Sequence, residues 1–288
     1  MRIVELFERG GPVFSFEFFP PKTDKGFDAL FHTIGELKQL DPSFVSVTWG
    51  AGGSTRRKTI EIVIRIQREL GITAMCHLTC VGASRDELAE ILDQLAAAGI
   101  ENVLPLRGDP PRGEASFAPV EGGFRHANEL IEFIRSRWDF CLPAACYPET
   151  HTEAPSPEVD LRNLVRKVRA GVDFLITQLF FDNRDYFDFV GRARAAGIGV
   201  PIVPGIMPVT STTNVPRIAK MCGSKIPAKL EAALAAAAGD GARIDAIGVR
   251  WATDQCRELL ERGAPGIHFY TLNRSPATRR IYRNLFPE

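Results

Sequence analysis

The amino-acid sequence predicts an α/β protein whose fold class is the (β/α)8 TIM barrel, with extra helices between strands 7 and 8. Eight short runs rich in β-branched and aromatic residues alternate with longer segments whose apolar residues recur three and four positions apart. The short runs are almost continuously apolar, which is typical of parallel strands buried on both faces. Eight such units in 288 residues fit a closed barrel better than an open doubly wound sheet.

Each predicted strand is a short segment followed by a predicted helix. The strand runs are VFSFEFF, FVSVTW, TAMCHLTC, NVLPLRG, CLPAACY, FLITQLFF, PIVPGIM and GIHFYTL. The helical segments between them include RKTIEIVIRIQREL, RDELAEILDQLAAAG and DLRNLVRKVRAG. Helix starts agree with this division: Ser84 and Glu87 have capping-box spacing, Asp182 precedes the sixth helix, and Ser275 precedes Pro276 at a first helical position.

Two connections are longer than the rest. The segment from Thr212 to Pro265 contains the alanine-rich run EAALAAAAG and predicts extra helices rather than a second domain. The segment GDPPRGEASFAPVEGGF after the fourth strand is rich in Pro and Gly and predicts an active-site loop. We therefore expect one catalytic barrel domain over residues 1–288.

Composition excludes several classes of partner. Lys plus Arg and Asp plus Glu each number 35, so no basic excess indicates a nucleic-acid or acidic-membrane partner. The N-terminal run MRIVELFERGG lacks the apolar core of a signal peptide, and no segment reaches the ~18 apolar residues of a membrane helix. The six cysteines lack metal-ligand spacing, so no metal is expected. A cytoplasmic protein is the simplest expectation.

Polar residues collect where seven of the eight predicted strands end. Because the carboxyl ends of barrel strands share one rim, these side chains are candidates for chemistry. They are Glu17, Thr48, His77, Thr79, Arg107, Asp109, Tyr147, Glu149, His151, Gln178, Tyr270, Asn273 and Arg274. Glu17 is notable because a strand buried on both faces has no structural need for a carboxylate.

Each candidate also has a purely structural interpretation. Glu17 would then form a buried ion pair with a lysine or arginine, and Arg107 would pair with Asp109 at the rim. His77 would be a satisfied core histidine, and the loop at 50–53 an ordinary turn instead of a phosphate cradle.

The fifth helix carries a second candidate site. Asp160, Asn163 and Lys167 recur at three and four residues, so they share one helical face. That face offers a carboxylate for ribose hydroxyls, an amide, and a cation for a diphosphate. The run from Arg166 to Arg169 has the alternative of being a solvated face.

Eight motifs occur here in a characteristic order: SFEFFPPK, VSVTWGAGGST, HLTC, LRGD, ACYPETH, ITQLFFD, PGIMP and FYTLNR. From about Phe14 to Leu285 the chain resembles methylenetetrahydrofolate reductase of the bacterial, single-domain type. The resemblance implies a flavoprotein oxidoreductase of one-carbon metabolism and methionine biosynthesis. It also implies tightly bound FAD, NADH or NADPH as co-substrate, ping-pong hydride transfer to 5,10-methylenetetrahydrofolate, and a homo-oligomer.

The same resemblance implies roles for individual residues. Glu17 matches the family's general acid, and Asp109 matches an aspartate near flavin and pterin that favours hydride donation and a cationic iminium. Gln178 and Arg274, with Glu17 and Asp109, match substrate-binding positions. The positions that match FAD contacts are Thr48, Trp49, Ala51, His77, Arg107, Gly108, Asp109, Ala127, Tyr147, His151, Ala154, Asp160, Asn163, Arg166 and Lys167.

The resemblance makes a physical prediction about Glu17. Opening the folate ring to an iminium needs a proton on a weakly basic nitrogen. Phenylalanines around Glu17, from Phe14 to Phe19, would provide a low-dielectric setting that raises the pKa of its carboxyl.

Three positions depart from the family pattern. Thr212 stands where relatives carry Phe or Tyr, and losing that stacking face would cost about 1 kcal/mol of ligand binding. Trp49 and His126 each stand where tyrosine is common. Thr212 suggests one alternative, a family member reduced by a partner protein. Two further alternatives are a non-catalytic flavin- or folate-binding barrel, against which Glu17 and Asp109 argue, and a flavin-free barrel lyase, which would leave the face from Asp160 to Lys167 empty.

Overall fold

A barrel of parallel strands surrounded by helices forms the body of the protein. The computed structural model describes residues 1–49, 56–109 and 117–287. The strands are β1 (Val13–Phe18), β2 (Phe44–Val47), β3 (Ala74–Thr79), β4 (Asn102–Leu106), β5 (Pro143–Cys146), β6 (Phe174–Thr177), β7 (Ile202–Val203), β8 (Gly205–Ile206) and β9 (Gly266–Tyr270). The helices are a 3-10 helix (Ile3–Glu8), α1 (Asp24–Lys38), α2 (Arg56–Leu70), α3 (Arg85–Ala97), α4 (Ala127–Arg135), α5 (Pro157–Arg169), α6 (Asn183–Ala195), α7 (Asn214–Cys222), α8 (Ala228–Ala235), α9 (Gly241–Glu261) and α10 (Pro276–Leu285).

The strands form two hydrogen-bonded sheets, and the barrel closes at the two junctions between them. One sheet has the order β4-β3-β2-β1-β9-β8 and the other β5-β6-β7, all with parallel neighbours. A bridge between Asn102 and Cys141 joins β4 to β5. Pro204 divides the predicted seventh strand into β7 and β8, because proline has no amide hydrogen to donate to a ladder. Its carbonyl oxygen accepts from the amide of His268 at 2.9 Å, which keeps the seam closed. The predicted (β/α)8 fold is confirmed.

The barrel interior changes from apolar to polar along the strands. At the amino-terminal end, Val13, Phe44, Met75 and Leu104 form a buried cluster, and Ile3 of the 3-10 helix packs against it. The next inward positions carry polar groups, and all four of these residues are buried: Ser15, Ser46, His77 and His268. Because strand residues alternate between faces, the polar layer lies between the apolar plug and the carboxyl ends of the strands.

Helix starts follow the predicted chemistry at two of three positions. The Ser84 hydroxyl accepts from the Glu87 amide, and the Glu87 carboxylate accepts from the Ser84 amide, so the capping box is formed. Asp182 accepts from the amide of Arg184 at 3.0 Å. Ser275 precedes α10 but donates its hydroxyl hydrogen to Glu36 of α1 instead of capping its own helix.

The long connection before β9 contains three helices, α7, α8 and α9, as predicted. Most predicted strands extend beyond the observed ones at their carboxyl ends, and those extra residues form the rim loops. Residues 110–116 of the predicted active-site loop lie outside the described residues. Within the described ranges, no helix is both long and apolar enough to cross a membrane.

Candidate active site

Two neighbouring cavities lie at the carboxyl ends of the strands. The first, about 430 Å³, lies over the centre of the barrel, and the second, about 320 Å³, lies beside α5. Arg107, Tyr147 and His151 line both, so the cavities share a wall. This arrangement suits an elongated ligand that spans from the barrel centre to the face of α5.

Most of the predicted site residues line these cavities. The central cavity is lined by Glu17, Thr48, Trp49, His77, Arg107, Gly108, Asp109, Tyr147, His151 and Gln178, and the α5 cavity by Arg107, Ala127, Tyr147, His151, Ala154, Asp160, Asn163, Arg166 and Lys167. Arg274 is exposed beyond the central cavity, whose lining stops at Leu272 on that side. Ala51 and the glycine loop around it lie outside the described residues.

Glu17 is held between two histidines. Its Oε2 lies 3.3 Å from Nε2 of His268 and 3.4 Å from Nε2 of His77, and 13% of its side chain is exposed. Ser46 of β2 is in register with Glu17. The ion pair with a lysine or arginine that we considered is therefore wrong, because the groups beside Oε2 are two imidazoles, which carry a charge only when protonated.

The expected phenylalanine surroundings of Glu17 are wrong for three of the four residues, whereas Phe19 lines the central cavity together with Glu17. Phe14, Phe16 and Phe18 alternate with Glu17 along β1 and belong to the buried cluster that packs against the outer helices. Burial alone would raise the pKa of the Glu17 carboxyl, but the hydrogen bond from His268 and the neighbouring His77 outweigh it and lower the pKa below its ordinary value. Burial lowers the pKa of His77 despite the nearby carboxylate.

Arg107 is paired, but with a residue that the sequence did not indicate. Its two terminal nitrogens donate to the carboxylate of Glu153 at 2.5 and 2.7 Å. The predicted structural alternative, a pair with Asp109, is therefore not what holds Arg107. Asp109 is exposed and lines the central cavity, so its carboxylate is accessible to a ligand that binds there.

The face of α5 forms a polar wall of the second cavity. Nζ of Lys167 donates to the carbonyl oxygen of Ala145 at 2.9 Å, and Oδ2 of Asp160 accepts from the His151 amide at 2.9 Å. Burial lowers the pKa of Lys167, although Asp160 opposes the shift. The solvated-face interpretation therefore fails for Lys167, whereas Arg166 is exposed.

Tyr270 forms part of the wall of the central cavity. Its hydroxyl donates to the carbonyl oxygen of Thr177 at 2.7 Å, and burial raises its pKa well above the ordinary value. The ring passes so close to Gly205 that an added Cβ would lie 2.6 Å from it. Gln178 lines the same cavity, and its backbone amide donates to Cys146 at 2.7 Å.

Sequence reasoning missed the groups that surround Glu17 and Arg107. Ser15 and His268 were not proposed, although Ser15 lies two residues before Glu17 and therefore shares its face. His268 lies two residues before Tyr270, which the sequence did indicate as a site candidate. Because residues two apart on a strand share a face, this spacing could have identified His268. Glu153 offered no signal, because its pairing depends on how the loop after β5 folds back.

The three residues that depart from the family pattern differ in burial and in position relative to the cavities. Thr212 is exposed and outside the linings of both cavities. Trp49 is buried and lines the central cavity. His126 precedes α4 without a side-chain cap bond and lines the α5 cavity.

Solved structures show the same fold. An uncharacterised protein from Clostridium thermocellum, described as binding two copies of 5-methyl-5,6,7,8-tetrahydrofolic acid, matches with a TM-score of 0.66 and 15% identity over 98% of this chain and 96% of that chain. Dihydropteroate synthase from Xanthomonas albilineans matches with a TM-score of 0.50 and 13% identity over 94% of this chain and 90% of that chain. At these identities the likeness concerns the fold alone.

Sequence comparison is more specific. The family model for methylenetetrahydrofolate reductase matches residues 2–286. Methylenetetrahydrofolate reductase (NADH) 1 of Arabidopsis thaliana is 41% identical over 99% of this chain, which spans 50% of that relative's length. The 5,10-methylenetetrahydrofolate reductase of Escherichia coli is 38% identical over 94% of this chain and 90% of its own length. The chain belongs to the methylenetetrahydrofolate reductase family.

Proposed function

We propose that this protein reduces 5,10-methylenetetrahydrofolate to 5-methyltetrahydrofolate with electrons from NADH or NADPH. The single observation that carries the proposal is the central cavity, which combines Glu17 with Asp109 and Gln178 at the positions that the family resemblance assigns to folate reduction. The sequence similarity to the methylenetetrahydrofolate reductases of Escherichia coli and Arabidopsis supports the reaction.

FAD is the proposed cofactor, and the residues present fit it. The buried Oγ1 of Thr79 and Nε2 of His77 line the central cavity and lack hydrogen-bond partners among the described residues. Gly108 has a φ of 88°, and a Cβ there would lie 2.7 Å from Val81, so the chain needs glycine where it borders this cavity. Lys167 and Asp160 would hold the diphosphate and ribose end. Bound flavin would supply the hydride-transfer chemistry.

Glu17 would provide the proton for ring opening. A carboxyl whose pKa is lowered by two imidazoles is mostly ionised near neutral pH, so the substrate must help it to hold a proton. Only 13% of the Glu17 side chain is exposed. A pterin ring that covers this exposed part would exclude water and raise the pKa of the carboxyl. The proton would then pass from Glu17 to the bridging nitrogen of the folate, and the ring would open to the iminium.

Asp109 would act on the charge of that iminium. Its carboxylate faces the central cavity from the end of the fourth barrel strand. A fixed negative charge stabilises a cation that develops nearby in a cavity shielded from water. Gln178 would bind the pterin by its amide, and Arg274, exposed at the rim, would contact the outer end of the folate.

A second candidate is reduction by a partner protein instead of a nicotinamide. The observation that favours it is Thr212, whose short side chain is exposed outside both cavity linings. Anaerobic stopped-flow mixing with NADH and with NADPH separates the two candidates. Flavin bleaching by either nucleotide supports the first, and bleaching in the Thr212→Phe variant alone would favour the second. A non-catalytic binder would show bound flavin with no folate turnover.

The primary experiment is the visible spectrum of the purified protein before and after anaerobic addition of 5-methyltetrahydrofolate. Bleaching of a bound flavin would establish cofactor, substrate and reverse half-reaction together. A flavin that stays oxidised would contradict the proposed reaction, and a protein that cannot be reconstituted with FAD would contradict the cofactor. We also propose a cytoplasmic location and self-association, the latter testable by light scattering.

A further inference from the structure

Ser15, His268 and Glu17 form a continuous hydrogen-bonded chain across two strands. In the parallel pairing of β1 with β9, Ser15 is opposite His268 and Glu17 is opposite Tyr270. Nδ1 of His268 lies 2.7 Å from Oγ of Ser15, and its Nε2 lies 3.3 Å from Oε2 of Glu17. Both ring nitrogens therefore have protein partners.

The two ends of this hydrogen-bonded chain differ in burial. His268 and Ser15 are both fully buried, and His268 is not part of the cavity lining, whereas Glu17 is. The chain consequently starts inside the barrel and ends at a carboxyl group that lines the central cavity. Since Ser15 is fully buried, we expect the chain to act on Glu17 itself instead of conducting protons from solvent.

The imidazole matches either charge state of the carboxyl group. When Glu17 is ionised, Nε2 carries the hydrogen and donates it to Oε2, while the Ser15 hydroxyl donates to Nδ1. When Glu17 is protonated on its other oxygen, Oε2 still accepts from Nε2–H and the Ser15 hydroxyl still donates to Nδ1, so the imidazole keeps its tautomer and no proton has to reach Ser15. Neither state therefore leaves a ring nitrogen of His268 without a partner.

His77 does not provide the same support. Its Nε2 lies 3.4 Å from Oε2 of Glu17 but makes no well-aligned hydrogen bond among the described residues. It also lines the central cavity, where a ligand competes for it. The other titratable groups that face Glu17 are Tyr270 on β9 and Cys222 on α7.

We propose that His268, held by Ser15, is a positioning residue that orients Glu17 and keeps its carboxyl hydrogen-bonded before and after it gives up a proton. The role rests on the proposed function, in which Glu17 donates the proton for folate reduction. His268 would touch neither substrate nor cofactor. Its effect on the reaction would pass entirely through Oε2 of Glu17.

Two variants test the proposal. His268→Gln can keep a donor near Oε2 but lacks the second ring nitrogen that contacts Ser15, and Ser15→Ala removes only the far end of the chain. We expect His268→Gln to slow the folate half-reaction about tenfold, with little change in KM for folate. Reduction of the flavin by nicotinamide should not change, because that step needs no proton from Glu17. His32→Gln, a histidine substitution on α1, is the matched control.

Titration of the Glu17 carboxyl by carbon-13 NMR gives a readout that does not depend on turnover. We expect the midpoint to move upward in His268→Gln, and less in Ser15→Ala, because a group that favours the ionised carboxylate is lost or loosened. An unchanged midpoint in both variants would overturn the proposal, even if turnover fell, since loosened packing alone gives that result. If His268→Gln does not fold, Ser15→Ala decides. If the wild-type protein fails to reduce folate, the proposed function is wrong, and the titration still tests the hydrogen-bonded chain.

Discussion

Arg107 and Glu153 form a bidentate ion pair at the wall shared by the two cavities, with nitrogen to oxygen distances of 2.5 and 2.7 Å. Arg107 belongs to the end of the fourth barrel strand, whereas Glu153 belongs to the loop after the fifth. The pair therefore fixes the guanidinium where both cavities meet. It also joins two rim segments that are not adjacent in sequence.

The ion pair should contribute little to stability but measurably to cofactor binding. Because Glu153 is half exposed, we expect Glu153→Gln to lower the free energy of unfolding by only about 0.5 kcal/mol. The hydrogen bonds to Arg107 lower the pKa of Glu153, so the contribution is present above the unfolded pKa and is lost as pH falls through the lowered folded pKa. Denaturant melts at neutral and acid pH should show this difference vanish in acid. Fluorescence titration with FAD should show weaker binding in Arg107→Ala than in Glu153→Gln, and equal affinities would contradict the role of Arg107.

Removal of the Glu17 carboxyl should separate the two half-reactions. We expect Glu17→Ala to lose folate turnover by about 100-fold or more, because a general acid contributes that much. Flavin should remain bound and reducible, since the residues proposed to hold FAD do not depend on the Glu17 carboxyl. Stopped-flow absorbance measures both half-reactions, with Glu69→Ala on α2 as the control carboxylate. Folate turnover near the wild-type rate would show that Glu17 is not the acid.

Neutralising Asp109 should affect both the flavin and the folate. We expect Asp109→Asn to raise the reduction potential of bound flavin, because a nearby negative charge opposes the uptake of electrons. Folate reduction should slow about tenfold or more through lost stabilisation of the iminium. Potentiometric titration and single-turnover kinetics measure the two effects, with Asp254→Asn on α9 as control. An unchanged potential would place Asp109 away from the flavin.

The close approach at Gly205 should tolerate no side chain. A Cβ there would lie 2.4 Å from the carbonyl oxygen of Thr177 and 2.6 Å from the ring of Tyr270. We expect Gly205→Ala to destabilise the protein by about 3 kcal/mol, because the backbone and ring must shift. Gly35→Ala in α1, where a Cβ meets nothing within 4 Å, should stabilise by up to about 1 kcal/mol. Similar unfolding midpoints for the two variants would contradict the close packing of Gly205 against Thr177 and Tyr270.

The sequence by itself determined the barrel and most of the rim. The spacing of apolar residues distinguishes strands from helices, and residues such as Ser84 and Asp182 cap helix starts. Both depend only on neighbours within one helical turn or one strand. The resemblance then assigned site residues, and nearly all of these line the two cavities. These positions were predictable because parallel strands of similar length bring their ends to one rim.

Only the tertiary structure decided what surrounds those residues. The pKa of Glu17 is lowered by His268 and His77, which are far from it in sequence and reach it through strand pairing. The partner of Arg107 came from a loop whose path no periodicity specifies. Sequence patterns report which face a residue occupies, whereas charge and hydrogen bonding depend on neighbours that only the closed barrel brings together. This is why the phenylalanines of β1 suggested a raised pKa and the folded protein lowers it.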